Sequence, residues 1–466
     1  MPLPADPLAW AIKRFRDGEQ MNQYARYEAY YAGDQDLSFA TPKFEQAFGR
    51  LFQAFSYNRS ASVVDAIADR LRITGFQAAN EQGDAQAAQD LWDANRMDKR
   101  EGEVNVESLA EGDAYVITWP HPDTGLPVIW PQDARCVRVL YDDEQPGLVI
   151  LAAKLWRQDD DSLRLNLFFP DRLEKYITRN KWKGTYPQSA AAFERYQPEG
   201  DLAWPLVYDW FRPNQPSIPV HHFGNNARTG RYGRSELADV IPLQDALNKT
   251  LSDLIVASEF SAYRQKWATG VKPAKDPATG RAVPPWDVGA DRILGAEAEG
   301  ASFGTFDSSD LNQMIATCNM FDLAIARVSR VPVHYLGLSS DFPSGESLKT
   351  AEAPFVKKVV DRQTAFGNVW EDAMTLALRM QGIDLTFQLE AVYESAEPRS
   401  EMEKATLFET WRRGGLSVPS SLRMIGESEH DIALAQQESE AEIERARRAF
   451  DAGEVDLGDQ EEEGVA

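Results

Sequence analysis

Residues 235–267 read SELADVIPLQDALNKTLSDLIVASEFSAYRQKW and form the longest stretch of the chain that keeps a helical repeat. Apolar residues recur there at steps of three, four and seven, and polar residues occupy the rest of the helical wheel. The spacing predicts one amphipathic helix from Ser235 to Trp267, about 50 Å long at ~1.5 Å per residue. Pro242 predicts either a kink or a start one turn late. Such a helix is expected to bridge two regions of structure, although an ordinary core helix has the same periodicity.

A second helix is predicted at residues 311–331, after a segment, residues 268–308, that is too poor in apolar residues to form a core alone. Two helices joined in this way most simply lie side by side and antiparallel. A polar loop at 338–346 precedes another long periodic segment, in which Pro354 predicts a kink. Beyond it the pattern predicts a strand at 385–392, helices over 399–450 and a disordered acidic tail at 451–466.

The first half of the chain alternates between helical and β-rich patterns. Residues 7–31 predict two helices broken at Gly18, and Asn58-Arg59-Ser60 predicts the cap of a helix at 61–71. Further helices are predicted at 85–95 and 99–110, and strands at 73–77, 114–119, 126–130, 136–141, 148–156, 163–169, 173–179 and 218–223. The strands after Gly112 are expected to form one antiparallel meander against the N-terminal helices, with residues 182–204 as a long loop. The fold class is therefore α+β and mainly helical.

The composition and charge of the chain limit the classes of function that it can have. The chain has 466 residues, 43% of them hydrophobic, and a formal net charge of −24 at pH 7. A basic surface that grips nucleic acid is excluded, whereas an acidic surface would repel passing DNA and suits a conduit. Cys136 and Cys318 are expected to be buried apolar residues of a protein in a reducing compartment. No signal peptide or membrane span is predicted, so we expect a soluble protein that starts inside the cell.

No catalytic motif in the sequence has the flanking secondary structure that its chemistry requires. Gly300-x-Ser302-x-Gly304 matches a hydrolase nucleophile elbow, but no buried strand precedes it, so a hydrolase using Ser302 is only a remote alternative. There is no phosphate-binding G-x-x-x-x-G-K-[ST] loop, and His221-His222 are adjacent strand residues that face opposite ways. We therefore expect no enzyme activity, cofactor or metal.

Three arginines lie close together at a turn just before the central helix. Arg228, Arg231 and Arg234 are set among glycines and could hold a phosphate. Because acidic residues are in excess, salt bridges with acidic neighbours are the favoured interpretation, including neighbours on another subunit.

The order of these parts resembles the portal proteins of long-tailed bacteriophages, of the siphophage type. The resemblance covers nearly the whole chain and depends on YYAGD at residues 30–34, on residues 225–235 leading into the central helix, and on RVP…LG at residues 330–337. The polar loop and the kinked helix that follow have the same order in that family. Each motif is weak alone, and their order and spacing carry the resemblance.

The resemblance implies a ring, expected to be a dodecamer, at the capsid vertex. It assigns residues 1–233 to a wing, 234–267 and 309–337 to two stem helices, 268–308 to a small clip, 338–346 to a channel loop, 347–395 to a kinked wing helix and strand, and 396–450 to a helical crown. It implies a channel loop at Ser339, Ser340, Asp341, Phe342, Pro343, Ser344, Gly345 and Glu346. It implies clip contacts with partners at Trp286, Lys272, Lys275 and Arg281, and a ring interface at Leu251, Leu254, Ile255, Arg228, Arg231 and Arg234.

The partners implied by the resemblance are other copies of the chain, the packaging terminase, the major capsid and scaffolding proteins, and a head–tail adaptor. Double-stranded DNA would pass through the channel without sequence specificity, and no membrane is involved. The expected location is the virion, with assembly in the host cytoplasm. The main rival is another structural protein of the particle, such as a minor head or adaptor protein, which rings seen by electron microscopy would exclude.

Overall fold

The structure is a computed structural model of the chain. It describes residues 3–35, 57–78, 82–182, 186–197, 204–229, 231–262, 266–270, 274–275, 278–283, 300–305, 310–337, 345–385, 388–397, 401–426 and 429–451. Two compact units divide the chain. The first comprises Met1–Ala29, Val63–Ala238 and Pro343–Ala466, and the second comprises Tyr30–Ser62 and Asp239–Phe342.

The described residues form helices and antiparallel strands. The helices are α1 (Pro7–Phe15), α2 (Gly18–Ala32), α3 (Arg59–Ala68), α4 (Gln82–Ala94), α5 (Met97–Glu111), α6 (Ile241–Ala262), α7 (Leu311–Ser329), α8 (Gly345–Met380), α9 (Glu401–Arg413), α10 (Val418–Ile425) and α11 (Glu429–Asp451). The strands are β1 (Ile73–Ala78), β2 (Asp113–Pro120), β3 (Pro127–Gln132), β4 (Val137–Tyr141), β5 (Val149–Arg157), β6 (Leu163–Phe168), β7 (Arg172–Thr178), β8 (Phe193–Arg195), β9 (Leu206–Val207), β10 (Val220–Gly224), β11 (Lys266–Thr269), β12 (Ala274–Lys275), β13 (Ala282–Val283), β14 (Ser302–Thr305) and β15 (Leu389–Tyr393). The α+β class with dominant helices is confirmed. Within the described ranges, no helix is both long and apolar enough to span a bilayer.

The strands of the first unit form three sheets rather than one meander. Strands β4 to β8 follow one another in a six-stranded sheet in which β9 also pairs with β7, and β2 lies between β10 and β3 in a separate sheet. A third, two-stranded sheet joins β1 to β15. The single predicted meander is therefore wrong, because β10 returns from far along the chain to pair with β2. The predicted loop at 182–204 contains β8, in which only Phe193 is buried, too little alternation to predict a strand.

The N-terminal helix packs against the six-stranded sheet, as predicted. Asp6 caps α1 by accepting the Ala9 amide at 2.9 Å, and Pro7 opens the helix, where no backbone donor is needed. Ile12 and Phe15 are buried in one core with inward-facing leucines of β5 and β6. The sheet thus has a covered apolar face along α1.

Helix α8 runs through the centre of the first unit. Pro354 lies inside it, and the helix continues on both sides of this residue. Farther along, Trp370 is fully buried, with its ring centroid 5.2 Å from that of Trp92 and 4.6 Å from that of Phe223. Aromatic pairs in this tilted geometry stabilise beyond their buried area, so Trp370 joins α4, β10 and α8 in one core.

The central helix starts later and ends earlier than the sequence predicts. Helix α6 begins at Ile241, with Pro242 in its first turn, so a late start is correct and a kink is not. The backbone before it turns instead, and the Glu236 amide donates to the Leu109 carbonyl of α5 at 2.9 Å. At the other end Trp267 lies in β11, not in the helix. Helix α7 matches its prediction closely.

The segment between α6 and α7 contains short antiparallel pairs. Strand β11 pairs with β14, and β12 pairs with β13. The ring of Trp267 lies over Gly304, where an added Cβ would come within 2.4 Å of the ring, so this pairing needs a glycine. Ser302 is exposed on β14 rather than at a strand-to-helix turn, which removes the geometric basis of the hydrolase alternative.

Candidate functional site

A buried carboxylate organises the approach to the central helix. Asp113, at the start of β2, accepts hydrogen bonds from the Tyr24 hydroxyl at 2.6 Å, from His222 Nε2 at 2.7 Å and from the Gly233 amide at 2.6 Å. Burial favours the neutral acid, but the hydrogen bond and charge of His222 hold the pKa of Asp113 below its usual value. Asp113 therefore joins α2, β10 and the 225–235 segment as an ionised acceptor.

The 225–235 segment lies directly against the end of α5. The Asn225 amide donates to the Gly112 carbonyl at 2.8 Å, and the Arg234 amide donates to the Asn225 carbonyl at 2.7 Å. A Cβ added at Gly233 would lie 1.9 Å from the Gly112 oxygen, which no side chain tolerates. Glycine at 233 is thus required by the close approach of two backbones.

The three arginines of this segment lie at its surface. Arg228, Arg231 and Arg234 are all exposed. In the described part of the chain, no acidic side chain forms an ion pair with Arg228 or Arg231. The segment closes through backbone hydrogen bonds, and pairing of these two arginines with acidic groups elsewhere in the chain stays a prediction. Pairing with another subunit stays a prediction.

Glu236 connects the end of this segment to α8. Its carboxylate lies 2.6 Å from Lys358 Nζ and 2.9 Å from Arg362 Nη2, and the three side chains are only 9–11% exposed. Burial would raise the pKa of Glu236, but the charges of Lys358 and Arg362 lower it below its usual value. A buried carboxylate held by two cations fixes one arrangement of the two segments.

A second polar cluster joins helices α3, α6 and α7 within the second unit. Arg59 Nε lies 2.8 Å from Asp322 Oδ1, and the Arg59 amide donates to Gln244 Oε1 at 2.9 Å. Gln244 Nε2 in turn donates to the Tyr57 carbonyl at 2.6 Å, and the Asn58 side chain caps α3 at the Ala61 amide, as predicted. The first turns of α6 thus lie beside the later turns of α7, so the two long helices are antiparallel, as predicted.

Apolar side chains remain uncovered on the paired helices. On α6, Leu251, Leu254 and Ile255 are half-buried. On α7 the exposed fractions are 46% for Ile315, 55% for Met320 and 48% for Val328. At ~100° per residue Met320 and Val328 lie on one side of α7 and Ile315 on another. Exposed apolar side chains of this kind are candidates for contact with another molecule.

Other residues predicted from the sequence lie apart from these clusters. Lys272, Trp286 and residues 338–344 fall outside the described residues, Gly345 begins α8, and Glu346 lies in its first turn. Lys275 is on β12, and Arg281 is exposed just before β13. His221 is buried on the face of β10 opposite to His222, and burial lowers its pKa to about 4.

The clusters at Asp113, Glu236 and Asp322 were not predicted from the sequence. In the sequence Gly112 marked only the start of the β-rich region, although it adopts the left-handed φ of 100° that ends α5. Partners 109 and 263 residues away in sequence, such as His222 for Asp113 and Arg59 for Asp322, leave no local pattern. The glycine pair Gly112 and Gly233 was the available signal for close backbone approach.

An α+β chain with two paired antiparallel helices that carry exposed apolar side chains agrees with the resemblance to phage portal proteins. A family model described as phage portal protein, SPP1 Gp6-like, matches residues 14–447, and the chain belongs to this family. It is 26% identical over 340 residues to the portal protein of Mycobacterium phage D29, and 28% identical over 347 residues to that of Mycobacterium phage L5. Each match covers 69% of this chain and 64% of the relative's own length.

Solved structures of phage-like particles are also similar in part. A chain in the virion of a native gene transfer agent particle has a TM-score of 0.44 and 14% identity, covering 79% of this chain and 89% of that one. A chain in the neck of the native particle, computed with C12 symmetry, has a TM-score of 0.45 and 14% identity over the same shares.

Proposed function

We propose that this chain forms a closed ring at a capsid vertex, through which DNA enters and leaves the particle. The supporting observation is family membership over residues 14–447, together with the paired helices α6 and α7. As a structural component the ring would need no enzyme activity of its own. We propose twelve subunits, with the terminase and the head–tail adaptor docking on the ring and the capsid and scaffolding proteins around it. Its location would be the virion, after assembly in the host cytoplasm.

The ring interface in this proposal includes the uncovered surface of the paired helices. Leu251, Leu254 and Ile255 of α6 and Met320 of α7 would be covered by a neighbouring copy, because their exposure in one chain is unfavourable by ~25 cal/mol per Å² of apolar surface. Arg228 and Arg231, exposed and without an ion pair among the described residues, would meet acidic groups of the next subunit. The acidic excess of the chain makes such partners abundant.

Imaging of the purified protein tests the ring. Met320→Asp places a charge on the exposed apolar surface and should abolish rings in negative-stain micrographs, because a buried unpaired charge costs several kcal/mol at each interface. Asn319→Asp adds the same charge at a neighbouring exposed polar position and should leave rings intact. Leu251→Asp is a second variant on α6. A monomer or dimer of the unmodified chain would instead favour an adaptor or minor head protein.

The channel loop is proposed at residues 338–346, which follow the left-handed Gly337 and include the first two residues of α8. A ring would bring copies of this segment together around the axis, and Asp341 and Glu346 carry its only charges. Like charges would keep phosphates from binding and allow the duplex to slide. Asp341→Lys with Glu346→Lys should preserve rings but retain DNA, most strongly at low salt. Normal packaging and ejection at low salt would contradict this role.

The clip is proposed at residues 268–308, where partners of the ring would dock. Trp286 is the apolar residue that we propose for such a contact, and Lys272, Lys275 and Arg281 supply positive charge. Arg281 is exposed, as this role requires. Trp286→Ala rings should therefore assemble but package poorly, and rings that package DNA and recruit the adaptor at the normal rate would exclude the contact.

A further inference from the structure

Three carboxylates meet at the C-terminal end of α5. Glu107 and Glu111 lie one turn apart on this helix, and Asp133 precedes the short turn Ala134–Cys136. One oxygen from each of the three lies within 4.8 Å of the others. Their backbone positions are fixed by the helix and by the Ala134 amide, which donates to Glu107 Oε1 at 2.7 Å.

Glu111 is the buried member of this acidic cluster. It is 7% exposed, and its Oε2 has no hydrogen-bond partner among the described residues. A carboxylate oxygen hidden from water is costly unless a donor, a proton or a cation satisfies it. Burial and the nearby charge of Glu107 raise the pKa of Glu111 to about 8, which reflects this cost.

The surrounding charges do not balance the cluster. Arg135 supplies one positive charge and pairs with Asp133, at 2.8 Å from Nη2 to Oδ2, and with Glu28. With Glu28 counted, four carboxyl groups lie near one guanidinium in the described part of the chain. The carbonyl end of α5 adds further negative potential at the same place, since the helix dipole favours cations there. A cation is therefore the group that this arrangement lacks.

We propose that Glu107, Glu111 and Asp133 bind a divalent cation with a preference for oxygen ligands, Mg²⁺ or Ca²⁺. Carboxylates without histidine or cysteine suit these hard ions better than zinc. The Asp133 side chain is 40% exposed, which gives the ion a path from solvent and leaves room for bound water. The ion would join the end of α5 to the connection between β3 and β4. Its ligand Glu111 immediately precedes Gly112-Asp113 in the chain. This proposal is independent of ring formation.

Calorimetric titration of the full-length chain with CaCl₂ and with MgCl₂ at pH 7.5 tests the site. We expect one saturable site per chain whose dissociation constant rises roughly tenfold or more in Glu111→Gln, because a direct charged ligand is lost. Glu103→Gln is the matched control, since Glu103 lies on the same helix with a side chain 56% exposed and paired to Lys99. Its binding should equal that of the wild type. The stronger of the two titrations identifies the preferred ion.

The thermal midpoint gives a second readout. Saturating cation should raise the midpoint of the wild type and of Glu103→Gln, but not that of Glu111→Gln. If Glu111→Gln does not fold, as judged by circular dichroism, Asp133→Asn at the rim replaces it in both measurements. The proposal is overturned if no saturable site exists, or if Glu111→Gln and Glu103→Gln bind alike. A third result would also overturn the proposal: cation leaves the midpoint of the wild type unchanged, and Glu111→Gln without cation melts at a higher temperature than the wild type. That result would show that a shared proton, not a cation, satisfies the cluster.

Discussion

Replacing Glu236 by glutamine should release the segment before α6. Glu236→Gln keeps the shape of the side chain but removes the charge that Lys358 and Arg362 face at 2.6 and 2.9 Å. Both cations stay largely buried, with exposed fractions of 9% and 11%. Removing one member of a buried ion pair costs about 3–5 kcal/mol, most of it from the charge left behind. We therefore expect a loss of about 4 kcal/mol at neutral pH.

Hydrogen exchange measures this loss locally. The Glu236 amide donates to the Leu109 carbonyl at 2.9 Å, so its exchange reports opening of the segment against α5. At ~1.4 kcal/mol per tenfold, a loss of about 4 kcal/mol predicts roughly thousandfold faster exchange at this amide. Glu103→Gln is again the control, because an exposed ion pair contributes less than about 1 kcal/mol. Exchange in Glu236→Gln within threefold of the wild type would refute the reasoning.

The pH dependence gives an independent check of the same cluster. The folded-state pKa of Glu236 lies below the usual carboxyl value of 4.5. The contribution of Glu236 to the free energy of unfolding is therefore fully present above pH 4.5. It is lost as the pH falls through the lowered folded-state pKa, where the wild-type side chain becomes protonated. The difference between wild type and Glu236→Gln should therefore be full at pH 7 and shrink towards zero in acid.

Two further predictions concern the neighbouring loop. Gly233→Ala should prevent stable folding of the first unit, because the added Cβ would lie 1.9 Å from a carbonyl oxygen; Gly83→Ala, in open space, should leave the thermal midpoint nearly unchanged. Asp113→Asn should lower the free energy of unfolding by about 2–3 kcal/mol in denaturant titrations at pH 7, since all three donors lose a charged acceptor and the amide nitrogen that replaces one oxygen cannot accept a hydrogen bond. Because the pKa of Asp113 is lowered from 3.8, wild type and variant should converge only below that pH.

Helices and strands were largely predictable because their signals are local. Apolar periodicity placed α5 and α7 to within a few residues, and alternation placed β5 and β6. The start of α6 was ambiguous because periodicity continues through residues 235–240, while tertiary hydrogen bonds to α5 pull that backbone into turns. Periodicity indicates which face of a segment is apolar. It does not indicate whether the backbone N–H groups of that segment bond within a helix or to a neighbouring element.

The polar clusters were not predictable for the opposite reason. Glu236, Lys358 and Arg362 are ordinary charged residues in helical patterns, and only packing brings them together. The preference for pairing the loop arginines was based on the excess of acidic residues, whereas the buried ion pairs of Arg59, Lys358 and Arg362 had no such signal. The composition determines how many acidic partners are available to the basic residues, whereas packing and burial determine which ion pairs form.

The buried polar groups also bear on the proposed passage of DNA. Lys358 and Arg362 are buried together with Glu236. This cluster therefore removes two positive charges and one negative charge from the surface. Arg138 is fully buried as well, where it donates to backbone carbonyls and lies over the Phe15 ring at 5.2 Å. Glu101, Glu111, Asp113, Asp322 and Glu352 are buried too, so burial removes charges of both signs from the surface, and the formal charge of −24 remains the measure of the acidic excess. A surface of this kind releases a duplex at low salt, where a basic channel would hold it most tightly.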